Sequence, residues 1–200
     1  MFKIALTAAA LSLGLVGAAS AATVFTEDFE ADVAGAPSTL LNWTVVSGTI
    51  DVIPVGSSFD WYSPNGQYVD MNGSPAGPGR IETNSGLGLV LGQSYTLTFD
   101  YGNNKNSNAV EQLTFGIDGN TWVIDIAGAI PSFLTASFSF VFSGGSDTLF
   151  FADTGPTPGD AGGPIIDNIS VAAVPVPAAG FLLLGALGGL AGLRRRRKTA

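Results

Sequence analysis

Acidic residues near the two ends of the central region are the first candidates for a chemical role. Glu30 lies in the stretch TEDFE and Asp167 in the stretch IIDNIS. The first and last strands of a β-sandwich often lie side by side, so we expect these two carboxylates to meet. Calcium takes six to eight oxygen ligands from carboxylates and carbonyls. The pair therefore predicts a structural calcium site, with the alternative that Asp167 only turns the chain and Glu30 is solvated.

Aromatic and amide side chains indicate a second kind of site. Trp61 and Tyr62 stand in the stretch FDWYSPNGQ, just before the turn-forming Pro64-Asn65-Gly66. Exposed aromatic rings stack on sugar faces, and the four asparagines of residues 103–108 can hydrogen-bond to sugar hydroxyls. We therefore predict a ligand-binding role for Trp61 and Tyr62. The alternative is that these rings pack at the edge of the fold and the asparagine-rich stretch is only a turn.

The composition excludes most catalytic mechanisms. The 200 residues contain no histidine and no cysteine, which removes the commonest general base, the usual ligand of catalytic zinc and the Ser-His-Asp and Cys-His sites. A glycosidase needs only a pair of carboxylates, but nothing in the sequence places two of the 16 acidic residues across a cleft. We therefore predict that the protein is not an enzyme. Without disulfides, its core must hold the domain together.

Charges are separated along the chain. All 16 acidic residues lie between residues 23 and 173, where Arg80 and Lys105 are the only basic residues, so this region has a net charge of −14. A region this acidic repels phosphate groups, and we expect no nucleic acid partner. A run of five basic residues lies near the C-terminus and consists of Arg194, Arg195, Arg196, Arg197 and Lys198.

The elements that must position the candidate residues are β-strands. QSYTLTFDY alternates large apolar residues with polar ones, and FLTASFSFVF alternates phenylalanines with smaller residues. QLTFGIDGNTWVIDI predicts a hairpin with its turn at 118–120, and NWTVVSGTIDVI predicts a strand over 42–53. About nine or ten such strands are separated by turns rich in Gly, Pro, Asn and Ser. Residues 22–173 are therefore predicted to form an all-β, antiparallel β-sandwich of the jelly-roll type.

The N-terminal segment predicts export. A positive charge at Lys3 precedes an apolar stretch from Ile4 to Ala19, and Ala19-Ser20-Ala21 supplies the small residues of a cleavage site. The apolar stretch is short for a membrane span. Residues 1–21 are therefore predicted to be a secretory signal peptide.

The C-terminal segment predicts a membrane span. Residues 178–193 are uncharged, and with the preceding VPVP they reach the length that crosses a hydrocarbon core of about 30 Å at about 1.5 Å per residue. The basic run of residues 194–198 would stay in the cytoplasm by the positive-inside rule. This predicts a single transmembrane helix over residues 178–193, with the acidic domain on the outer side.

The order of motifs in this tail resembles a known sorting signal. Before the apolar stretch and the basic run stand Val174, Pro175, Val176, Pro177 and Ala178. Together they resemble the VPLPA-type variant of the PEP-CTERM class of bacterial sorting signals, although Val176 stands where that variant commonly has leucine. The resemblance implies cleavage near the proline motif by an exosortase, a membrane processing enzyme of Gram-negative bacteria.

This resemblance also implies a location. The inner membrane would hold the precursor only transiently, and the processed domain would reach the cell surface or the extracellular matrix. Proteins of this class are typically linked to exopolysaccharide and the biofilm matrix. The alternative for the same residues is a permanently anchored, single-span membrane protein.

The central region resembles the choice-of-anchor C and DUF642-like domains. The stretches that carry this likeness are, in order, NWTVVSGTIDVI, NGQYVDMNGS, GQSYTLTFDYGNN and IIDNISV. Those domains are similar to galactose-binding-type jelly rolls, which often hold a structural calcium near their first and last strands. The resemblance therefore implies a carbohydrate-binding surface domain with calcium at Glu30 and Asp167. A purely structural surface or matrix protein without a small ligand is the alternative.

Overall fold

The computed structural model describes residues 21–104, 110–128, 130–155 and 162–175. These residues contain eleven β-strands and no helix, which confirms the predicted all-β fold. The strands are β1 (Thr23–Glu27), β2 (Trp43–Ser47), β3 (Asp51–Ile53), β4 (Tyr68–Asp70), β5 (Arg80–Thr83), β6 (Ser94–Asn103), β7 (Val110–Ile117), β8 (Asn120–Ala127), β9 (Leu134–Val141), β10 (Phe150–Asp153) and β11 (Pro164–Ala173).

The two terminal segments fall outside this description. Residues 21–174 form one compact unit. No helix suited to crossing a membrane occurs in the described residues. The predicted span over 178–193 and residues 1–20 of the predicted signal peptide lie outside the described residues.

The strands form two antiparallel sheets. The first sheet has the order β3-β4-β11-β6-β9, and β1 also pairs with β11. The second sheet has the order β2-β5-β10-β7-β8. The first and last strands lie side by side, with Glu27 opposite Ile169. The predicted antiparallel β-sandwich is therefore confirmed.

Aromatic rings join the two sheets in the core. The ring of Phe99 on β6 lies 4.8 Å from that of Phe115 on β7 and 5.0 Å from that of Phe151 on β10, measured between centroids. Along β6, Tyr95 and Leu97 point the same way as Phe99 and are buried, as the alternation in the sequence predicts. Full burial of such a side chain contributes about 1.5–3 kcal/mol. This core stabilises a domain that has no cysteine.

The predicted hairpin is confirmed. β7 and β8 pair in register up to Ile117 and Asn120, so Asp118 and Gly119 form the turn. Both turn residues have positive φ, 56° and 74°. A two-residue turn of this kind matches the twist of the strands that it connects.

The prediction of a single strand over residues 42–53 is wrong. The chain leaves the second sheet after β2, turns at Gly48 and enters the first sheet as β3. Gly48 has a φ of 66°, and a Cβ at this position would overlap the carbonyl oxygen of Pro78. Glycine is therefore required at this crossover. The β-branched residues on both sides of Gly48 continue the same pattern, which hides the crossover in the sequence.

Candidate functional site

A covering loop, residues 54–67, connects β3 to β4 and packs on the outer face of the first sheet. Below it, Ile53, Tyr68 and Ile165 form with Tyr62 a small buried cluster that is separate from the main core. The strand neighbours of the first three residues belong to the main core, because successive side chains of a strand point to opposite faces. The three strand residues therefore mark the outer face of the sheet, and they position the loop above it.

Two tyrosine hydroxyls fix the covering loop. The hydroxyl of Tyr62 donates to the carbonyl of Asn103 at 2.7 Å and accepts the N–H of the same residue at 2.8 Å. The hydroxyl of Tyr68 donates to the carbonyl of Phe59 and accepts the N–H of Trp61, both at 2.8 Å. Burial raises the pKa of both phenols, so the hydroxyls keep their protons and continue to donate.

Tyr62 is a buried support of the loop rather than an exposed ring. Its side chain is 2% exposed, and its ring stacks on Phe133 with a centroid distance of 4.3 Å. The predicted stacking of Tyr62 on a sugar is therefore corrected, because both ring faces and the hydroxyl lie within the fold. Trp61, the preceding residue, is only half-buried and lines an open cleft.

The aromatic cleft has a volume of about 300 Å³. Trp61 and Phe59 supply its aromatic surface, with ring centroids 6.1 Å apart and an interplanar angle of 86°. Among the described residues, its polar side chains are Asp51, Ser57, Asp70, Ser74 and Asn104. The volume lies at the lower end of the range of small-molecule sites, and apolar walls with a few polar groups are typical of them.

Two carboxylates from neighbouring strands face the aromatic cleft. Asp51 of β3 lies opposite Asp70 of β4 in the strand pair, and the two side chains are 7% and 3% exposed. Both oxygens of Asp51 accept the N–H of Ser74 at 3.0 Å. The carboxylate thereby holds the turn after β4 against the cleft.

Asp70 is the more deeply buried of these two carboxylates. Its oxygens accept the N–H of Asn72 at 2.9 Å, the N–H of Gly163 at 3.0 Å and the side-chain amide of Asn104 at 3.1 Å. Burial raises the pKa of Asp70 to about 8, and the charge of Asp51 adds to the rise, while the three hydrogen bonds oppose it. At neutral pH the Asp70 carboxyl therefore carries a proton for much of the time.

The structure places the two predicted calcium ligands close enough to interact. Asp167 on β11 is 1% exposed, and burial raises its pKa to about 7. The charges of Asp100, Glu30 and Asp28 add to this rise. These four carboxylates define an acidic patch where the end of β1 meets the middle of β11. Asp167 also precedes a bulge at which Asn168 has a φ of 49°. Asp167 and Asn168 therefore turn the chain as well.

The acidic patch does not by itself form a metal site of side chains. The described residues contain no group of three or more His, Cys, Asp or Glu side chains that could hold a metal ion. A calcium ion at Glu30 and Asp167 would therefore need backbone carbonyls and water as its other ligands, which calcium accepts readily. One oxygen of Glu30 accepts the N–H of Gln67 at 2.6 Å, so this carboxylate also contacts the covering loop.

Sequence reasoning missed most residues of the aromatic cleft, among them Asp51, Asp70 and Phe59. Asp51 lies in the predicted strand stretch TIDVI, and Asp70 lies in QYVDM. A carboxylate within a predicted strand is the feature of the sequence that could have indicated these two residues. Asn104, from the asparagine-rich stretch, does line the cleft. Asn106, Asn108, Val176, Pro177, Ala178 and the basic run of residues 194–198 lie outside the described residues.

Known proteins resemble this chain in fold. No protein-family model matches it, and no curated protein matches it at a significant level. The CBM22-1 xylan-binding domain of Xyn10C from Paenibacillus barcinonensis is 12% identical, with a TM-score of 0.51 over 80% of this chain and 99% of that domain. The K1 cleaved adhesin domain of Lys-gingipain from Porphyromonas gingivalis W83 is 13% identical, with a TM-score of 0.53 over 76% of this chain and 98% of that domain. At these identities the likeness is one of fold.

Proposed function

We propose that residues 22–173 form a non-catalytic carbohydrate-binding domain and that the aromatic cleft is its binding site. The observation that carries this proposal is the half-buried ring of Trp61, which stands beside polar side chains in a cleft of about 300 Å³. A sugar ring has apolar faces that pack on an aromatic ring, and its hydroxyls pair with side chains such as Ser57 and Ser74. The likeness in fold to a xylan-binding domain supports the proposal.

The covering loop is held in place before any ligand arrives. Tyr68 binds the backbone of Phe59 and Trp61 on either side of Asp60, and Tyr62 attaches the loop to β6 through Asn103. A loop that is already ordered loses little conformational entropy on binding, so more of the contact energy appears as affinity. The aromatic cleft is therefore suited to bind a ligand without rearrangement.

Replacement of Trp61 tests the carbohydrate site. We expect Trp61→Ala to weaken oligosaccharide binding about tenfold or more, because the substitution removes a large aromatic contact surface from the cleft. Isothermal titration calorimetry would measure this with a fragment of residues 22–175, which contains the whole sandwich, and a panel of neutral and amino oligosaccharides. Phe150→Ala is the matched control, since Phe150 lies under the guanidinium of Arg80 on the other sheet.

Either of two results would contradict the carbohydrate proposal. One is that no oligosaccharide of the panel binds to the fragment. The other is that Trp61→Ala binds as tightly as the unchanged domain, while its melting temperature shows that it is folded. A structural surface protein without a small ligand would then be the better interpretation.

We further propose that a calcium ion binds at the acidic patch, between Glu30 and Asp167. Burial raises the pKa of Asp167, the charges of three neighbouring carboxylates add to this rise, and a cation would relieve the repulsion among them. Calcium suits the site because oxygen is its preferred ligand and its geometry is flexible. In this role it would join the end of β1 to β11 and stabilise the fold, with no part in any reaction.

Export and sorting complete the proposed function. We propose that residues 1–21 direct export and that an exosortase-type membrane enzyme processes the tail, which begins at Val174. The precursor would be anchored transiently in the inner membrane of a Gram-negative bacterium, and the domain would then act at the cell surface or in an exopolysaccharide matrix. The support is the order of the proline motif, the apolar stretch and the basic run in the sequence.

The mass of the mature protein tests the sorting proposal. Proline fixes an extended backbone and lacks an N–H group, so Pro175 and Pro177 should keep the chain accessible to a protease outside the bilayer. We expect intact mass spectrometry of the surface protein from its native host to show the loss of about 20 residues from the C-terminal end, in addition to the signal peptide. A Pro175→Ala/Pro177→Ala variant should keep its C-terminal residues and remain in the inner membrane. If surface protein still carries residues 194–198, a permanent single-span anchor replaces the sorting interpretation.

A further inference from the structure

Among the described residues of the aromatic cleft, Asp51 is the source of negative charge, because Asp70 is largely protonated at neutral pH. The lining of the cleft contains the carboxyl groups of Asp51 and Asp70 and, among the described residues, no basic side chain. Arg80 is the one basic residue that the described ranges contain, and it is ion-paired with Glu82 on the second sheet at 2.6 Å. Lys105, which follows the cleft residue Asn104, lies outside the described residues.

Burial increases the effect of the Asp51 carboxylate on a ligand. Asp51 lies in a depression of the protein, where the effective dielectric constant is lower than in water and salt screens charges less. Asp70 adds little negative charge there, because its raised pKa of about 8 keeps it mostly protonated at neutral pH and below. A carboxylate or sulfate group of a ligand would be repelled there. An ammonium group would be attracted, and its hydrogen bonds to carboxylate oxygens would be roughly twice as strong as those between neutral groups.

We propose that the aromatic cleft selects saccharides that carry a free amino group, such as glucosamine residues, over acidic saccharides. In this arrangement the sugar ring packs on Trp61 and the ammonium group donates to Asp51. The inference rests on the proposed carbohydrate-binding function and names the charge class of its ligand. The net charge of −14 between residues 23 and 173 acts in the same direction, because it attracts a cationic polymer from a distance.

Three oligosaccharides of equal length test this selectivity. Isothermal titration calorimetry would compare a glucosamine oligomer, its N-acetylated form and an oligogalacturonate at about pH 6, where the amine is protonated, and about 50 mM salt. We expect the glucosamine oligomer to bind about tenfold tighter than the N-acetylated form, which is the effect of one hydrogen bond to a charged group. Ten times more salt should reduce this preference, and the oligogalacturonate should not bind measurably.

A substitution that removes the charge of Asp51 tests whether this residue causes the preference for the amino oligomer. Asp51→Asn keeps an oxygen that can accept the N–H of Ser74, and it should bring the affinities for the amino and N-acetyl oligomers to within about twofold of each other. Asp125→Asn is the matched control, because Asp125 is exposed on the edge strand β8 of the other sheet and the substitution removes the same charge. The control should keep the full preference.

The outcomes separate this inference from the carbohydrate-binding proposal. Equal affinity of the unchanged domain for the amino and N-acetyl oligomers overturns the amino selectivity and leaves carbohydrate binding in place. Binding of the oligogalacturonate, with or without added calcium, also overturns it. If the Asp51→Asn variant is folded and keeps the full preference for the amino oligomer, Asp51 is not the group that binds the ammonium. Failure of all three oligosaccharides to bind overturns both proposals.

Discussion

Gly102→Ala is expected to displace Tyr62, release the covering loop and abolish binding at the aromatic cleft. A Cβ at position 102 would lie 2.5 Å from Cζ of Tyr62. The ring has no room to retreat, because Phe133 stacks against it and its hydroxyl is bonded to both backbone groups of Asn103. We expect a loss of about 2–4 kcal/mol in the free energy of unfolding from overpacking and from the lost hydrogen bonds.

A double-mutant cycle isolates this cause. In a Tyr62→Ala background the ring is absent, so Gly102→Ala should cost much less than in the unchanged domain. Denaturant unfolding gives the stability of the four proteins, and calorimetric titration gives their affinity for the oligosaccharide that binds best. If Gly102→Ala costs as much without the Tyr62 ring as with it, the ring contact is not what makes glycine necessary on this strand.

Calcium is expected to raise the melting temperature of the domain, and a chelator should reverse the effect. A ligand that binds only the folded state at one hundred times its dissociation constant adds about 2.7 kcal/mol to the free energy of unfolding. For a domain of this size that corresponds to a rise of about 5–10 °C. Differential scanning calorimetry of the 22–175 fragment, with calcium and with chelator at matched ionic strength, measures the shift.

Asp167→Asn should remove most of this response to calcium. The absolute melting temperature is not the test, because the substitution also removes a buried charge that is repelled by Asp100, Glu30 and Asp28 and can stabilise the calcium-free domain. Asp125→Asn, on the other sheet, should keep the full calcium response. The calcium proposal is wrong if the melting temperature of the unchanged domain is the same with calcium and with chelator.

The strands and their buried faces could be predicted from the sequence because they depend on local alternation. The phenylalanines and serines of β9 alternate with period two, and the cross-strand pairs of β6 and β9 follow that pattern residue by residue. The turn at Asp118-Gly119 is equally local, since both positions need positive φ. The adjacency of β1 and β11 was expected from the architecture, and it is what brings Glu30 near Asp167.

The crossover at Gly48 could not be predicted from the sequence. The residues before and after it favour an extended chain equally, and a strand pattern does not state which sheet a strand joins. The need for glycine arises from Pro78, which lies 30 residues further along the chain and packs against the turn. A contact of this kind exists only once both sheets have formed.

By itself, the sequence excluded histidine and cysteine chemistry and established that the domain is acidic. Its period-two pattern also predicted the β-sandwich. Only the tertiary structure decided which of Trp61 and Tyr62 is buried and that Asp51 and Asp70 face the cleft. The sequence does not show which of two adjacent aromatic residues in a loop is buried. Their difference comes from the partners of Tyr62, Asn103 and Phe133, which are distant in the chain and meet it only when the loop folds onto the sheet.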